Sequence, residues 1–352
     1  MFLINKVVFV LNIIAALLLL GSYLSPSSNP QYLWPFSFLG LGYIILLVVN
    51  LVFIAYWLVQ AKLYLFISLG AIVLGFSHTG KFFQLQGRTK SASDTTIKVI
   101  SFNIQNFDER HNGLNPYPEF FEFIKEEQPD IVCLQEFNRW VGITSKTVAI
   151  EELKNAMGAK FSYVVRSDTG NDLIIASKYK ILGKKGIKFT KYKSTNNAMW
   201  ADIVIGKDTV RVINVHFQSF LLNKVKLEEL ESKDKAIESS KNIIKRLRDG
   251  FKNRVPQVDT VAREIEASPY PVILCGDFND TPMSYTYDEL TDKLKDSFIE
   301  CGAGFASTYT GPYPSFRIDY ILHNPQMRAY NYKRGKTYGS DHRVIQAEIA
   351  LH

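Results

Sequence analysis

The chain has 352 residues, 47% of them apolar, and a formal net charge of +7. Its three cysteines, Cys133, Cys275 and Cys301, show no CxxC or Cys/His spacing, which excludes the common zinc sites. The charge divides unevenly: residues 1–95 hold a net +4, and the +3 left for the rest is only weak evidence for a nucleic-acid partner.

No charged residue occurs between Lys6 and Lys62, and the first acidic residue is Asp94. Such a stretch is not ordinary soluble surface. It predicts about three transmembrane helices, at 5–24, 36–59 and 63–79, the second of about the ~20 residues a bilayer requires and the third shorter. A signal peptide competes for the first segment, because Lys6 precedes an apolar core. The run is long for that, and no small-residue cleavage site precedes Ser25. Trp34, Tyr56, Trp57 and Tyr64 fall near span ends, where interfacial aromatics collect. The 25–35 loop is uncharged, whereas Lys6 and Lys62 mark their side as cytoplasmic. Three crossings then give an integral membrane protein with an extracytoplasmic C-terminal domain. Two crossings reverse this, and Lys81, Arg88 and Lys90 pull mildly that way. The predicted organisation is a helical region at 1–80, a linker at 81–95 and a folded domain at 96–352.

Within that domain, residues 97–103 alternate as a strand and end in Asn103. A helix over 117–127 carries Phe120, Phe121, Phe123 and Ile124, and Pro129 with Asp130 stops it. Residues 131–136 form a buried strand ending in Glu136. A helix near 147–157 and strands at 163–166 and 173–177 follow. Residues 199–205 and 209–215 read as a hairpin about Gly206-Lys207-Asp208, running into His216. From 223 to 267 the pattern is helical and charged, with a break at Val255-Pro256. Its charge reads as a solvated face, with a nucleic-acid-binding arm as the less favoured alternative. The apolar strand 272–275 ends in Gly276-Asp277-Phe278-Asn279 and leads to a helix near 284–293. Arg317-Ile318-Asp319-Tyr320 opens another strand, and Ser340-Asp341-His342 precedes the closing one.

Strands alternating with helices predict a layered α/β domain. Six times a polar residue stands at the end of a buried strand: Asn103, Glu136, His216, Asp277 with Asn279, Asp319, and Asp341 with His342. Singly, each is an ordinary cap or core residue. Together they are the oxygen and imidazole groups of metal-assisted phosphoryl chemistry. Ser340-Asp341-His342 is no hydrolase triad, since neighbours in an extended chain point to opposite faces. No G-x-S-x-G elbow, G-x-G-x-x-G turn or Walker sequence is present.

These motifs, in order Ser-Phe-Asn103-Ile, Leu-Gln-Glu136, Asn214-Val-His216, Gly-Asp277-Phe-Asn279, Arg-Ile-Asp319-Tyr and Ser-Asp341-His342, resemble the endonuclease/exonuclease/phosphatase (DNase I-like) family over residues 97–352. The resemblance implies a four-layer α/β/β/α sandwich with its site at one edge of two stacked sheets. It implies Glu136 as the main ligand of Mg²⁺ (Mn²⁺ the alternative), with Asn103 and Asp341 nearby. By the same resemblance Asp277 orients or deprotonates the attacking water and Asn279 holds a phosphate oxygen. His342, oriented by Asp319, and His216 contact the phosphate, with Asn214 beside His216 on the substrate side. Gln105 stands where the family's apurinic-site endonucleases carry a second acid, which speaks against DNA repair. The expected function is a membrane-anchored Mg²⁺-dependent phosphodiesterase acting on a lipid head group, another small phosphoester or extracytoplasmic nucleic acid. A catalytically idle scaffold on the same fold is the alternative, and no protein partner can be inferred.

Overall fold

The structure, a computed structural model, describes residues 2–85, 87–88, 95–105, 117–137, 146–167, 171–189, 196–220, 233–311 and 315–351. In chain order the helical N-terminal part holds α1 (Phe2–Ser22), α2 (Pro30–Leu41), α3 (Tyr43–Val59), α4 (Leu65–Leu74) and α5 (Phe76–Thr79). Then come β1 (Phe83–Gln84), β2 (Thr96–Asn103), α6 (Tyr117–Glu127), β3 (Ile131–Phe137), α7 (Lys146–Met157), β4 (Phe161–Val165), β5 (Asp172–Ser177), β6 (Lys180–Lys188), β7 (Asn197–Ile205) and β8 (Asp208–His216). The remainder is α8 (Lys233–Glu266), β9 (Val272–Asp277), α9 (Tyr285–Thr291), β10 (Lys295–Asp296), α10 (Ser297–Cys301), β11 (Gly304–Phe305), β12 (Asp319–His323), β13 (Arg328–Arg334) and β14 (Ile345–Ala350).

The chain forms two compact units. One comprises Met1–Lys81, Ser219–Pro256 and Asp280–Asp288; the other comprises Phe82–Gln218, Gln257–Asn279 and Glu289–His352. The expected division at an 81–95 linker is therefore too simple. Two later segments join the N-terminal helices, and Phe83–Gln84 pairs with Gly304–Phe305. Residues 86 and 89–94 of that linker lie outside the described residues.

In the first unit, the three expected membrane spans reduce, among the described residues, to one helix long and apolar enough to cross, Leu3–Ser22. A second counts only if α2 and α3, bent by 50° at their junction, are one broken span. Pro35 and the non-helical Leu33 (φ −116°, ψ 35°) explain the irregular course of α2. The segment expected at 63–79 fails for length: α4 stops before Gly75 after 10 residues, about 15 Å against a hydrocarbon core of about 30 Å. These helices bury polar groups and expose apolar ones. Asn12 donates to Ser68 (2.5 Å), Ser68 to Asn50 (2.7 Å) and Trp57 Nε1 to Asn12 (2.8 Å), all buried. Leu3, Ile4, Leu17, Val52 and Val73 are exposed. Trp57, expected at an interface, is thus an interior hydrogen-bond donor.

The break expected at Pro256 does not occur, and α8 runs through it. Proline leaves the carbonyl four residues earlier without its helical donor. That carbonyl, of Lys252, accepts from Gln31 Nε2 at 2.6 Å instead. In the same unit Arg254 is fully buried and paired with Asp280 at 3.1 Å. Thr286 Oγ1 donates to the same carboxylate at 2.9 Å.

The second unit contains two six-stranded sheets, ordered β10-β12-β9-β8-β7-β6 and β13-β14-β2-β3-β5-β4. Each has one parallel pair at its centre, β8/β9 and β2/β3, with antiparallel neighbours outside. Alternation along the strands sends one set of side chains, including Val99, Cys133, Ile175, Val212, Ile273, Cys275, Ile321 and Ala347, into a core built from both sheets. The opposite set of the β2-containing sheet, Ile100, Phe102, Val132 and Leu134, packs with Phe120 and Ile124 of α6 and Leu153 of α7. On the other sheet Trp200 of β7 donates to Glu264 of α8 at 2.9 Å. The layers run helix, sheet, sheet, helix. Edge strands β6 and β13 were not anticipated; β6 carries exposed lysines and β13 exposed Lys333, Arg328 and Arg334, which mask strand alternation.

Candidate active site

The two parallel pairs deliver their C-terminal ends to one place. In register, Asn103 lies opposite Gln135 on β2/β3, and His216 lies opposite Asp277 on β8/β9. The β3 register slips between Leu134 and Phe137, and Glu136 adopts a left-handed φ of 53°. The bulge re-aims the Glu136 carboxylate away from ordinary alternation. Asn279 and Gln105 are also left-handed (φ 51° and 44°), a conformation that costs a non-glycine residue about 1–2 kcal/mol and concentrates at functional sites. Gly276 has φ +141°, and a Cβ there would strike the carbonyl of Val215 on the paired strand. Only glycine lets β9 pair closely with β8 just before Asp277.

Asn103 joins the two sheets. Its Nδ2 donates to Asp277 Oδ2 at 2.9 Å and to Glu136 Oε1 at 3.2 Å, and its Oδ1 accepts from Gln105 N at 3.0 Å. His216 Nε2 lies 3.5 Å from Glu136 Oε1 and 3.7 Å from Asp277 Oδ2, with neither ring nitrogen hydrogen-bonded. His342 presents Nδ1 to Asp319 at 2.9 Å, leaving Nε2 3.7 Å from both Asp277 Oδ2 and Asp341 Oδ1. Asn279 donates its backbone N–H to Asp277 Oδ1 at 2.8 Å and its amide to Phe217 O at 2.9 Å. Asn103, Glu136, His216, Asp277, Asn279, Asp319, Asp341 and His342 therefore converge.

Asn214 does not join them. Fully buried, it accepts from Gln135 Nε2 (2.7 Å) and donates to the carbonyls of Leu134 and Ile174 (2.9 Å each), which ties β8 to the opposite sheet. Its expected place on the substrate side is corrected to a structural one behind His216. Several supporting residues carried no role in the sequence reading. Thr308 Oγ1 accepts from the N–H groups of Ile318 and Asp319 at 3.1 Å, fixing the start of β12. Tyr309 sets its ring edge-on to His342, centroids 5.5 Å apart. Ser340 Oγ donates to Asn103 O and accepts from His342 N. Only Ser340 had a signal, as part of the Ser-Asp-His motif; the others belong to loops without periodicity.

Burial raises the carboxyl groups of Glu136 and Asp341 above their ordinary range. Burial also pushes Asp277 up to about 6, against the opposing pull of His342. His342 goes the other way from what burial alone would give. Asp319 and Asp277 hold its imidazolium, raising it to about 10. Burial lowers His216, which stays neutral near pH 7.

The sequence model of the Endonuclease/Exonuclease/phosphatase family matches residues 100–342, two thirds of the chain and every residue of this cluster. The chain belongs to that family. Members of the family are hydrolases of phosphoester bonds and generally use divalent metal ions. A second match, over residues 5–82, is to a domain of unknown function. No curated protein matches in sequence. Similar solved structures include D. rerio TDP2 complexed with a single-strand DNA product (18% identity, TM-score 0.54, covering 73% of this chain and 99% of that one). A family protein of Bacteroides thetaiotaomicron has 17% identity, TM-score 0.53 and coverage of 74% and 99%. The mannosyl-6-phosphatase of the same organism has 16% identity, TM-score 0.50 and coverage of 72% and 99%. At these identities the likeness is one of fold.

The family's use of a divalent ion can be tested against the donors here. Glu136, Asp277, Asp319 and Asp341 crowd together, and His342 is the one group among the cluster's eight held cationic near pH 7. Asp341 Oδ1 is buried without a hydrogen bond. A hard oxygen-seeking cation suits that set. Asp277, Asp319 and His342 offer ligand atoms within 4.8 Å of one another. His342 Nδ1 is already engaged by Asp319, and Asn103 Nδ2 holds the Glu136 and Asp277 carboxylates side by side.

Proposed function

We propose that this protein is a divalent-metal-dependent phosphoesterase, attached to a membrane through its N-terminal helices, that cleaves phosphodiesters by water attack. The observation that carries the reading is the convergence of Asn103 and Glu136 from one sheet with His216 and Asp277 from the other, completed by Asp319 and His342. Glu136, with Asn103 and Asp341, would hold Mg²⁺ or Mn²⁺, which when bound supplies positive charge against a developing phosphorane. Asp277, with a pKa near neutrality, accepts the proton of the attacking water. Asn279 holds Asp277 from the side through its backbone N–H. His342 Nε2, kept protonated by Asp319, donates to a non-bridging phosphate oxygen, and the neutral His216 donates to another.

Apolar helix α1, long enough to cross a bilayer, supports the attachment. The charge-free 25–35 loop supports an extracytoplasmic catalytic unit. The fold is shared by TDP2, solved with a DNA product, and by a mannosyl-6-phosphatase, so both nucleic acid and small phosphoesters belong among the substrates to test. The decisive assay presents the full chain, in neutral detergent, with single-stranded DNA, RNA, sugar phosphates and phospholipids, with and without Mg²⁺. Metal-dependent release of phosphate or phosphoester product from one class is expected. Absence of turnover on all four with Mg²⁺ and Mn²⁺ would make the protein an idle scaffold.

A further inference from the structure

The N-terminal half of α8 belongs to the same compact unit as the apolar helices α1–α4, and its charge changes abruptly at Pro256. Residues 238–256 hold six basic residues against two acidic, whereas residues 257–266 hold one against three. Within the basic half, Lys241, Lys245, Arg248 and Lys252 recur at spacings of four, three and four. At 100° per residue they share an arc of roughly 60° on one side of the helix. Leu247, Phe251 and Arg254 turn the other way. Phe251 stacks edge-on against Phe38 of α2 at 5.4 Å, and Arg254 is buried on Asp280. Arg248 is shared with its neighbour Asp249 at 2.8 Å, but Lys241, Lys245 and Lys252 make no ion pair among the described residues.

The basic stripe meets the apolar helices at a defined point. Lys252 offers its carbonyl to Gln31 in the first turn of α2. The next residues of that turn are Tyr32, 82% exposed, and Leu33, 49% exposed. An exposed tyrosine and leucine beside a lysine row, on a unit with polar interior and apolar exterior, is the arrangement of a helix lying along a membrane surface. We infer that the first half of α8, with the first turn of α2, is a docking surface for anionic phospholipid head groups. The lysines would pair with lipid phosphates while Tyr32 and Leu33 enter the head-group layer. The inference rests on the membrane attachment proposed above and extends it from insertion to lipid selection. Nucleic acid is the less suited polyanion, because nothing about it would cover Tyr32, Leu33 and the exposed faces of α1 and α3.

The test uses the full chain in nanodiscs of phosphatidylcholine alone or with phosphatidylglycerol added, with lysine acylation rates read by mass spectrometry. Phosphatidylglycerol should slow acylation of Lys241, Lys245 and Lys252 by roughly fivefold, the factor expected for a basic side chain at an anionic surface, and high salt should reverse the effect. Lys184 and Lys188, exposed on β6, serve as controls and should keep their rates. A K241Q/K245Q/K252Q variant should still enter discs but lose most of its preference for the anionic lipid. Equal rates in the two discs, or equal slowing of the β6 lysines, would overturn the head-group assignment while leaving attachment intact. Protection of the three lysines by a single-stranded oligonucleotide, without any effect of phosphatidylglycerol, would overturn it in favour of nucleic acid. A full chain that stays monodisperse without detergent and does not enter neutral discs would overturn the attachment itself, and this inference with it.

Discussion

Asp277 and His342 sit 3.7 Å apart with pKa values moved to opposite sides of neutrality, about 6 and about 10. A base must be deprotonated to work, so kcat/KM should rise with pH through about 6 or below, since a bound cation favours the carboxylate. A phosphate-side donor must be protonated, so the fall should come near 10. Asp319→Asn removes the group that most raises His342, so the alkaline limb should move toward neutral pH; an unmoved limb would take His342 out of the reaction. Asp277→Asn should lower kcat by ~10²–10⁴-fold with metal binding retained, whereas Glu136→Gln should weaken metal binding itself, measured by calorimetry. Most of these residues were legible beforehand because each is a polar group ending an apolar strand. Asn214 shares that appearance, yet its amide is closed between two sheets. Whether a strand-end amide faces the site or the sheet behind depends on inter-sheet packing, which one strand's sequence does not carry.

At the scale of elements, sequence patterns served well where strands were central and poorly at the margins. β2, β3, β8 and β9 are largely buried on both faces and stand out, but β6 and β13 carry exposed lysine or arginine, as strands protecting a sheet edge do. Pro256 was misleading for a related reason. A helix tolerates proline when another donor takes up the freed carbonyl, and Gln31 is more than two hundred residues away in sequence. The Arg254–Asp280 pair shows the same distance problem. Asp280, buried against Arg254, is a strong determinant of stability. Asp280→Asn or Arg254→Met alone should destabilise by about 3–5 kcal/mol, by removing one member of a buried charge pair. The double variant Arg254→Met with Asp280→Leu should cost less than either, which chemical denaturation of the three proteins would reveal.

For the whole molecule, the unit carrying the site gathers four carboxylates in one place, and its stability should respond to metal. A ligand at 100 times its dissociation constant adds about 2.7 kcal/mol to the state that binds it. Saturating Mg²⁺ should therefore raise the Tm of the wild-type chain and leave that of Glu136→Gln nearly unchanged, with EDTA reversing the first effect. Reporter fusions at about residue 90 test the proposed orientation. Active alkaline phosphatase there is expected, and a fluorescent cytoplasmic reporter with inactive phosphatase would reverse it.

Asn103 carries one more implication, for folding. Its amide reaches Glu136 within its own sheet and Asp277 in the other. Neither sheet alone holds the proposed site: Asn103, Glu136, Asp341 and His342 belong to one, and His216, Asp277 and Asp319 to the other. In a refolding experiment, recovery of phosphoester turnover would therefore clock the docking of the two sheets, a late step dominated by contacts remote in sequence. Secondary structure should return first, measured by far-ultraviolet circular dichroism. The interval between the two signals is the lifetime of an intermediate with complete strands and no chemistry.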